Sequence, residues 1–384
     1  MKQVSPVAHS PAASGQQSVK MILTNRFDPD VRVYKEARYL TAQGFDVEIL
    51  CWDRENEYAR TEVVDGIRIR RFNPPAVYGT GLQQLVPYIK FLRQVRQYLK
   101  TQEYAYLHCH DLDGMIVGAA CRSANPSAKL IFDMHEIYEV QGKKQKIRRL
   151  VRALVSRYHG LADAILYVNE LQLEHMSPAN RKKLIHLPNY PDAANFSSDE
   201  KTVSPLLRVS YIGSVRHFQQ MKNLLDAASG AEGVYTSIHG FGTAYKQLQE
   251  LEAGYPNAQV TGPYHFQEST RLFSEADLLY IMYPMDTLQN RESEPIKFFE
   301  AIITRTPMIV SPLSRLAQYV TRYGIGYLVD GEDIGEIRRL LAHIATHREE
   351  LAQMRERMKS IQFQFTWDHV VKDLSQIYQS DPNR

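Results

Sequence analysis

Cysteine is scarce in this chain. There are three, Cys51, Cys109 and Cys121, an odd set without metal-ligand spacing, which excludes a disulfide framework and points to a reduced compartment. No apolar run is long enough to span a membrane. Residues 1–18 are rich in Ser, Ala, Gln and Pro; they lack the apolar core of a signal peptide and read as a disordered lead-in. The first loop, Asn25-Arg-Phe-Asp-Pro-Asp30, has no Gly-x-Gly-x-x-Gly, which argues against a dinucleotide-binding domain at this end. No internal repeat is evident. Net charge is small, +3 over 384 residues, but uneven. Residues 1–195 hold 27 Lys and Arg against 20 Asp and Glu, and residues 196–384 hold 19 against 23, so a basic first half meets an acidic second half.

What is present is a repeated strand–helix rhythm across a length comfortable for two domains. Val19–Thr24 reads as a strand, Val31–Gln43 as a helix ended by Gly44, and Phe45–Leu50 as the next strand, a βαβ unit and hence a parallel sheet. Asp65-Gly66 turns into an exposed strand, Ile67–Phe72. Strands follow at Lys129–Asp133 and Ala162–Val168, and a helix is expected over Met115–Arg122, after Gly114. Residues 192–204 read as a linker. The pattern then restarts at Leu207–Ile212, and Phe365 onward opens a last helix. Expected segments are thus 1–18, 19–195, 196–364 and 365–384.

One stretch concentrates chemistry: Glu292-Ser-Glu-Pro-Ile-Lys-Phe-Phe-Glu300, then Thr306-Pro-Met-Ile-Val310. It reads as loop, helix from Pro295 to Ile303, turn and buried strand, with Ile296, Phe299 and Ile303 on one face. A carboxylate accepts two hydroxyl hydrogens at once and suits a sugar diol. A helix N-terminus suits a phosphate. On spacing alone the plainer account is favoured, with Glu292 a capping acid and Glu300 a solvated helix residue.

The two glutamates at this separation, with Pro-x-Lys-x-x-Glu-Ala inside and Thr-Pro-x-Ile-Val after, resemble the donor-site motif of retaining glycosyltransferases of family 4, which have the GT-B fold. Other segments are similar too: Asp-Pro-Asp-Val-Arg-Val-Tyr-Lys-Glu-Ala at 28–37, His-Cys-His at 108–110, Asp-Met-His-Glu at 133–136, and Gly213 to Lys222. The resemblance covers nearly the whole chain beyond residue 18. It implies an α/β GT-B fold, two Rossmann-like domains facing across a cleft, with a C-terminal helix crossing back to the first. It implies transfer of a hexosyl group, with retention, from a nucleotide-diphosphate sugar to a glycan or polyprenyl-linked acceptor. A UDP-sugar is expected ahead of a GDP-sugar, with no cofactor and no metal. Arg216 and Lys222 would hold the diphosphate, Arg216 replacing the arginine that often follows the glycine and is Ser214 here. Glu300 would hold the ribose, Glu292 or its rival Glu294 the sugar, and His110 another sugar hydroxyl. Gly213 would form the phosphate turn, Tyr264 would meet the base, and Lys297 would reach a phosphate or pair with an acid. Arg26 and His135 are acceptor-side candidates, and Arg32 shares with Arg26 the choice between anion contact and solvated charge.

Two stretches, 82–100 and 143–157, are basic and amphipathic. In the first, Leu85, Ile89, Leu92, Val95 and Leu99 share a face; in the second, Ile147, Leu150, Val151 and Leu154 do, with seven Lys and Arg elsewhere and no acid. Such helices suit an anionic membrane surface; no motif for nucleic acid is present. The expected place is cytoplasmic, peripheral at the inner face of the cell membrane, in polysaccharide or glycolipid assembly. Three alternatives stay open: a GT-B epimerase acting without an acceptor, a non-catalytic sugar-nucleotide sensor, and a GT-A enzyme using Asp111 and Asp113 for a metal.

Overall fold

The computed structural model describes residues 17–77, 81–136, 138, 145–174, 176–196, 201, 204–265 and 268–378, with the side chains of 82 and 145–148 left aside. Most of the expected lead-in, and Lys143, Lys144, Lys146, Ile147 and Arg148 of the second basic face, lie outside that description. The chain forms two compact units, one running to Pro188 and joined by the segment from Asp373, the other Asn189–Lys372.

The first unit contains β1 (Ser18–Leu23), α1 (Val31–Ala42), β2 (Asp46–Trp52), β3 (Thr61–Val64), β4 (Ile67–Phe72), α2 (Leu85–Leu99), β5 (Tyr106–His110), α3 (Asp111–Cys121), β6 (Lys129–Met134), α4 (Gln145–Leu161), β7 (Ala164–Tyr167), α5 (Pro178–Arg181) and β8 (Leu184–His186). Its eight strands run β3-β4-β2-β1-β5-β6-β7-β8, all parallel except the β3–β4 hairpin. The central strands are buried on both sides, as helices on both faces require, and Ile22, Leu50, Trp52, Phe91, Leu107 and Phe132 are in the core.

The second unit contains β9 (Leu207–Ile212), α6 (Phe218–Ser229), β10 (Val234–His239), α7 (Tyr245–Leu251), β11 (Ala258–Gly262), α8 (Ser269–Glu275), β12 (Leu278–Ile281), α9 (Leu288–Glu292), α10 (Ile296–Ile303), β13 (Met308–Val310), α11 (Leu316–Tyr323), β14 (Gly326–Leu328), α12 (Ile334–Thr346), α13 (Glu349–Ile361) and α14 (Trp367–Val370). Its six parallel strands run β11-β10-β9-β12-β13-β14. In each sheet the first strand lies between strands reached in opposite directions along the chain, β1 between β2 and β5, and β9 between β10 and β12. Loops at the carboxyl ends of such strands are where open α/β sheets take ligands.

Several expectations change. Helix α3 starts at Asp111 rather than Met115, so Gly114 is inside the helix. The reason is proximity: a Cβ on Gly114 would lie 3.0 Å from the Ile22 carbonyl, and one on Gly118 2.1 Å from the Cys109 sulfur. These glycines let α3 press onto the sheet. Strand β4 is not exposed, because β3 covers its edge and Ile67, Ile69 and Arg71 are buried. Of the α2 stripe only Val95 and Leu99 are buried, joined by Phe91 from beside it, while Leu92 is half-buried and Leu85 and Ile89 are exposed. On α4 the buried line is Val155 and His159, and Leu150 and Leu154 are 71% and 37% exposed. Helix α10 is buried on nearly every side, with Pro295 as its cap rather than in its first turn. Described residues of the expected linker pack on the second unit: Thr270 donates to the Asn195 carbonyl at 2.9 Å, and Lys201 to Thr306 Oγ1 at 2.5 Å.

Candidate functional site

Each unit gathers polar chemistry at the carboxyl ends of its central strands. In the second unit, β9 ends in Gly213 and β10 in the Gly240 turn, with φ of 128° and 135°, angles open to glycine. A Cβ on Gly240 would lie 1.8 Å from the Gly213 carbonyl oxygen, so the two turns stack backbone on backbone. Beside them is a cavity of about 370 Å³ lined by Gly213, Ser214, Gly240, Phe241, Pro263 and Tyr264. Burial, helped by the Glu300 carboxylate, raises the Tyr264 phenol to about 12.

Behind the Gly213 turn is Lys297, on the first turn of α10. It is 8% exposed, and its Nζ has no hydrogen-bond partner. The ammonium lies 3.9 Å from the centre of the Tyr211 ring, and a Cβ on Gly213 would come within 2.9 Å of it. Burial pushes it down to about 7; the Glu300 charge opposes this and the Arg216 charge adds to it. Arg216 is in the same loop and donates to Ser214 Oγ at 2.9 Å. Lys222, expected to share the loop's anion, is on α6, and its ammonium contacts Asp226 at 2.6 Å. The two rival glutamates separate. Glu294 Oε1 accepts from Arg315 Nε at 3.1 Å and from Tyr319 at 2.7 Å. Glu292, the last residue of α9, is more open, with Arg315 Nη1 at 3.7 Å. Glu300 is half-buried, one turn beyond Lys297.

In the first unit the organising residue is Arg32, buried rather than solvated. Its guanidinium donates to both oxygens of Asp133, at 3.0 and 2.7 Å, and to the Leu187 carbonyl at 2.9 Å, with Glu36 at 3.1 Å. It thereby ties α1 to the ends of β6 and β8. His110 ends β5 fully buried, its Nδ1 3.2 Å from Asp133 Oδ2 and from His135 Nε2, while its own Nε2 has no partner. His135 lies between Asp133 at 2.7 Å and Asp111 at 3.3 Å. Burial would lower His135, but these two carboxylates outweigh it and raise it to about 9. Burial lowers His110 despite Asp133. Burial would raise Asp133, but Arg32 and His135 hold it well below the usual carboxylate range.

Glu36, His108, His110 and Asp133 present ligand atoms within 4.8 Å of one another, all buried. Arg32 already places a guanidinium between Glu36 and Asp133, so the cluster carries its own cation. Asp111 and Asp113 have protein partners as well: His135 and Tyr138 for the first, Thr24 and the Gly114 N–H for the second. Arg26 is half-buried and faces Asp28, Glu55 and Glu57, so three acids surround that acceptor-side candidate.

Sequence reasoning passes over Glu36, His108, Asp133 and Tyr378. The available signals are the Arg32–Glu36 spacing of four on a helix and the alternation that sets His108 and His110 on one side of β5.

Two doubly wound parallel units with ligand-type loops at their switch points define the GT-B class of fold. The whole chain matches solved structures of that class. Sucrose-phosphate synthase from Thermosynechococcus elongatus has a TM-score of 0.71 and 16% identity over 95% of this chain and 98% of that one. Anabaena Alr3699/HepE, solved in complex with UDP and glucose, has 0.66 and 15% over 93% and 97%. WaaG, a glycosyltransferase involved in lipopolysaccharide biosynthesis, has 0.65 and 12% over 94% and 100%. More particularly, residues 29–189, most of the first unit, match the family model described as a glycosyl transferase 4-like domain. The likeness to family 4 glycosyltransferases thus has support in sequence as well as in fold. No curated protein matches the chain.

Proposed function

We propose that this protein is a retaining glycosyltransferase that moves a hexosyl group from a nucleotide-diphosphate sugar to a glycan or polyprenyl-linked acceptor. The observation that carries the reading is the second unit's cavity, lined by a stacked glycine turn and Tyr264, with an unpartnered buried Lys297 behind Gly213 and Glu300 near Tyr264. A diphosphate would take the turn with Arg216 and Lys297 as its cations, because departure of a nucleoside diphosphate builds negative charge that fixed cations stabilise. Glu300 would accept from the ribose and Glu292 from the sugar. In the first unit, the unpartnered Nε2 of His110 suits a sugar hydroxyl, and His135, held charged, suits an acceptor phosphate. The leaving phosphate would deprotonate the acceptor in a same-face displacement. Side-chain cations do the neutralising in this scheme, so it needs no divalent metal. A UDP-sugar is the proposed donor; HepE was solved with UDP-glucose.

The proposed setting is an anionic membrane face, in assembly of cell-surface polysaccharide or glycolipid. Support comes from α4, where Leu150, Leu154 and Leu161 are exposed among Arg149, Arg152 and Arg157, and from α2, where Leu85, Val86 and Ile89 are exposed beside Lys90 and Arg93. No helix among the described residues is long and apolar enough to cross a membrane.

The test is a thermal-shift panel of UDP, GDP and ADP with and without magnesium, since a ligand that binds the native state raises its stability. A metal-independent shift with UDP, lost in Glu300→Ala, is expected. No shift with any diphosphate would overturn the donor site.

A further inference from the structure

We propose that Lys297 is a proton-uptake switch for the donor: in mildly basic solution it is mostly neutral in the empty unit and gains a proton when a nucleoside diphosphate enters beside Gly213. This rests on the reading of the cavity as a donor site and adds a linkage to that reading.

The argument begins with what surrounds the ammonium. From β9, Tyr211 presents its ring face at 3.9 Å, and from the segment after β12, Tyr283 presents its own at 6.0 Å. From the β9–α6 loop, Arg216 and His217 act on it as cationic or titratable neighbours, and from its own helix Glu300 is the acid one turn on. His217 packs edge-on to Tyr283 at 5.4 Å and is itself lowered, first by burial and then by Lys297 and Arg216, with Asp286 opposing. A buried ammonium without a hydrogen-bond acceptor is costly and sheds its proton more easily than one in water. Aromatic faces offset part of that cost and leave all three N–H donors unsatisfied.

The missing partner is therefore an anion, and the Gly213 turn marks where it would sit. Gly213 has no side chain at the point where a Cβ would meet Nζ, and it also lines the 370 Å³ cavity. A diphosphate there would supply acceptors and opposite charge together, favouring the protonated amine. Burial has already pushed the group down to about 7 in the empty unit, so about one pH unit above that value the change in protonation is close to complete. By linkage, binding takes up a proton above that pH and weakens as the solution becomes more basic.

Isothermal titration calorimetry of the full chain with UDP, and with GDP, in phosphate and in Tris at pH 8 reads the proton count from the difference in heat between buffers. Uptake of most of one proton is expected for the wild type. His217→Gln should leave it intact. Lys297→Arg, which stays charged, should bind with no uptake, and Lys297→Met should bind on the order of 10–100-fold more weakly, also with none. Wild-type binding with equal heats in the two buffers, Lys297→Met binding at wild-type strength, or loss of uptake in His217→Gln would each overturn the inference while leaving the donor reading standing. Failure of both UDP and GDP to bind would overturn both.

Discussion

Arg32 and His135 show how much of the first unit depends on a few buried charges. Asp133 receives Arg32, His110 and His135 while fully buried. Removing one partner of a buried pair leaves the other without compensation, so Arg32→Leu should lower unfolding free energy by about 3–5 kcal/mol in a urea titration. Arg32→Lys, which cannot bridge both carboxylate oxygens, should lie between that variant and the wild type. His135 gives a pH signature. Its folded value is raised to about 9 from an ordinary 6.5, so its stabilisation is fully present below about pH 6.5 and is lost as pH rises through about 9. Lys201 and Lys297, both lowered to about 7 by burial, act in the opposite sense between that pH and the ordinary lysine range. The readout is therefore a difference: melting temperatures of wild type and His135→Gln should converge between pH 6.5 and 9. A constant gap would place the charge elsewhere.

Among the elements, the donor-type segment was legible where chain chemistry is local. Pro295 before an apolar run, two acids eight positions apart and a β-rich stretch after Thr306-Pro307 specify α10 and β13 closely. What escaped was set by side-chain partners and burial. Lys222 has the right spacing from Gly213, and Asp226, one helical turn on, contacts its ammonium. Lys297 reads as one more helix residue until α10 proves buried nearly all round, which buries its ammonium as well. Glycines misled in the same way: Gly114 resembles a turn but serves close helix–strand contact. The Gly240 turn can be tested directly. Gly240→Ala sets a methyl against the Gly213 carbonyl at a φ of 135°, so it should cost at least ~1–3 kcal/mol and remove the UDP-dependent thermal shift. Helix α4 makes a contrasting prediction. Leu150 and Leu154 are exposed, so Leu150→Glu with Leu154→Glu should change the melting temperature little and reduce co-sedimentation with vesicles rich in anionic lipid several-fold. Unchanged sedimentation would remove α4 from the proposed membrane face.

At the scale of the whole molecule, the acidic half is the one proposed to bind an anion, which looks contrary until the glycine turn is considered by itself: Arg216 and the protonatable Lys297 gather there, with Glu300 one helical turn further on. The halves' net charges, legible from composition, say nothing of this. Nor does composition disclose that the chain's end completes its beginning. After α14 the segment from Asp373 belongs to the first unit. There Tyr378 is buried, its ring 4.7 Å from Tyr106 and 5.6 Å from Phe45, and its hydroxyl 2.7 Å from His108 Nδ1. His108 is stacked on His110 at 4.4 Å. Tyr378 is thus linked to a proposed sugar contact, His110, through the buried His108 imidazole, which is held low by its surroundings, first by burial and then by His110. Tyr378→Phe keeps the ring packing and deletes only the bond to His108, so it should cost about 1–3 kcal/mol. Tyr378→Ala also opens a cavity among Phe45 and Tyr106 and should cost about 3–5 kcal/mol. If the segment serves only as packing, Tyr378→Phe will match the wild type in urea; if it also holds His108, it will lose stability without the larger loss of the alanine variant.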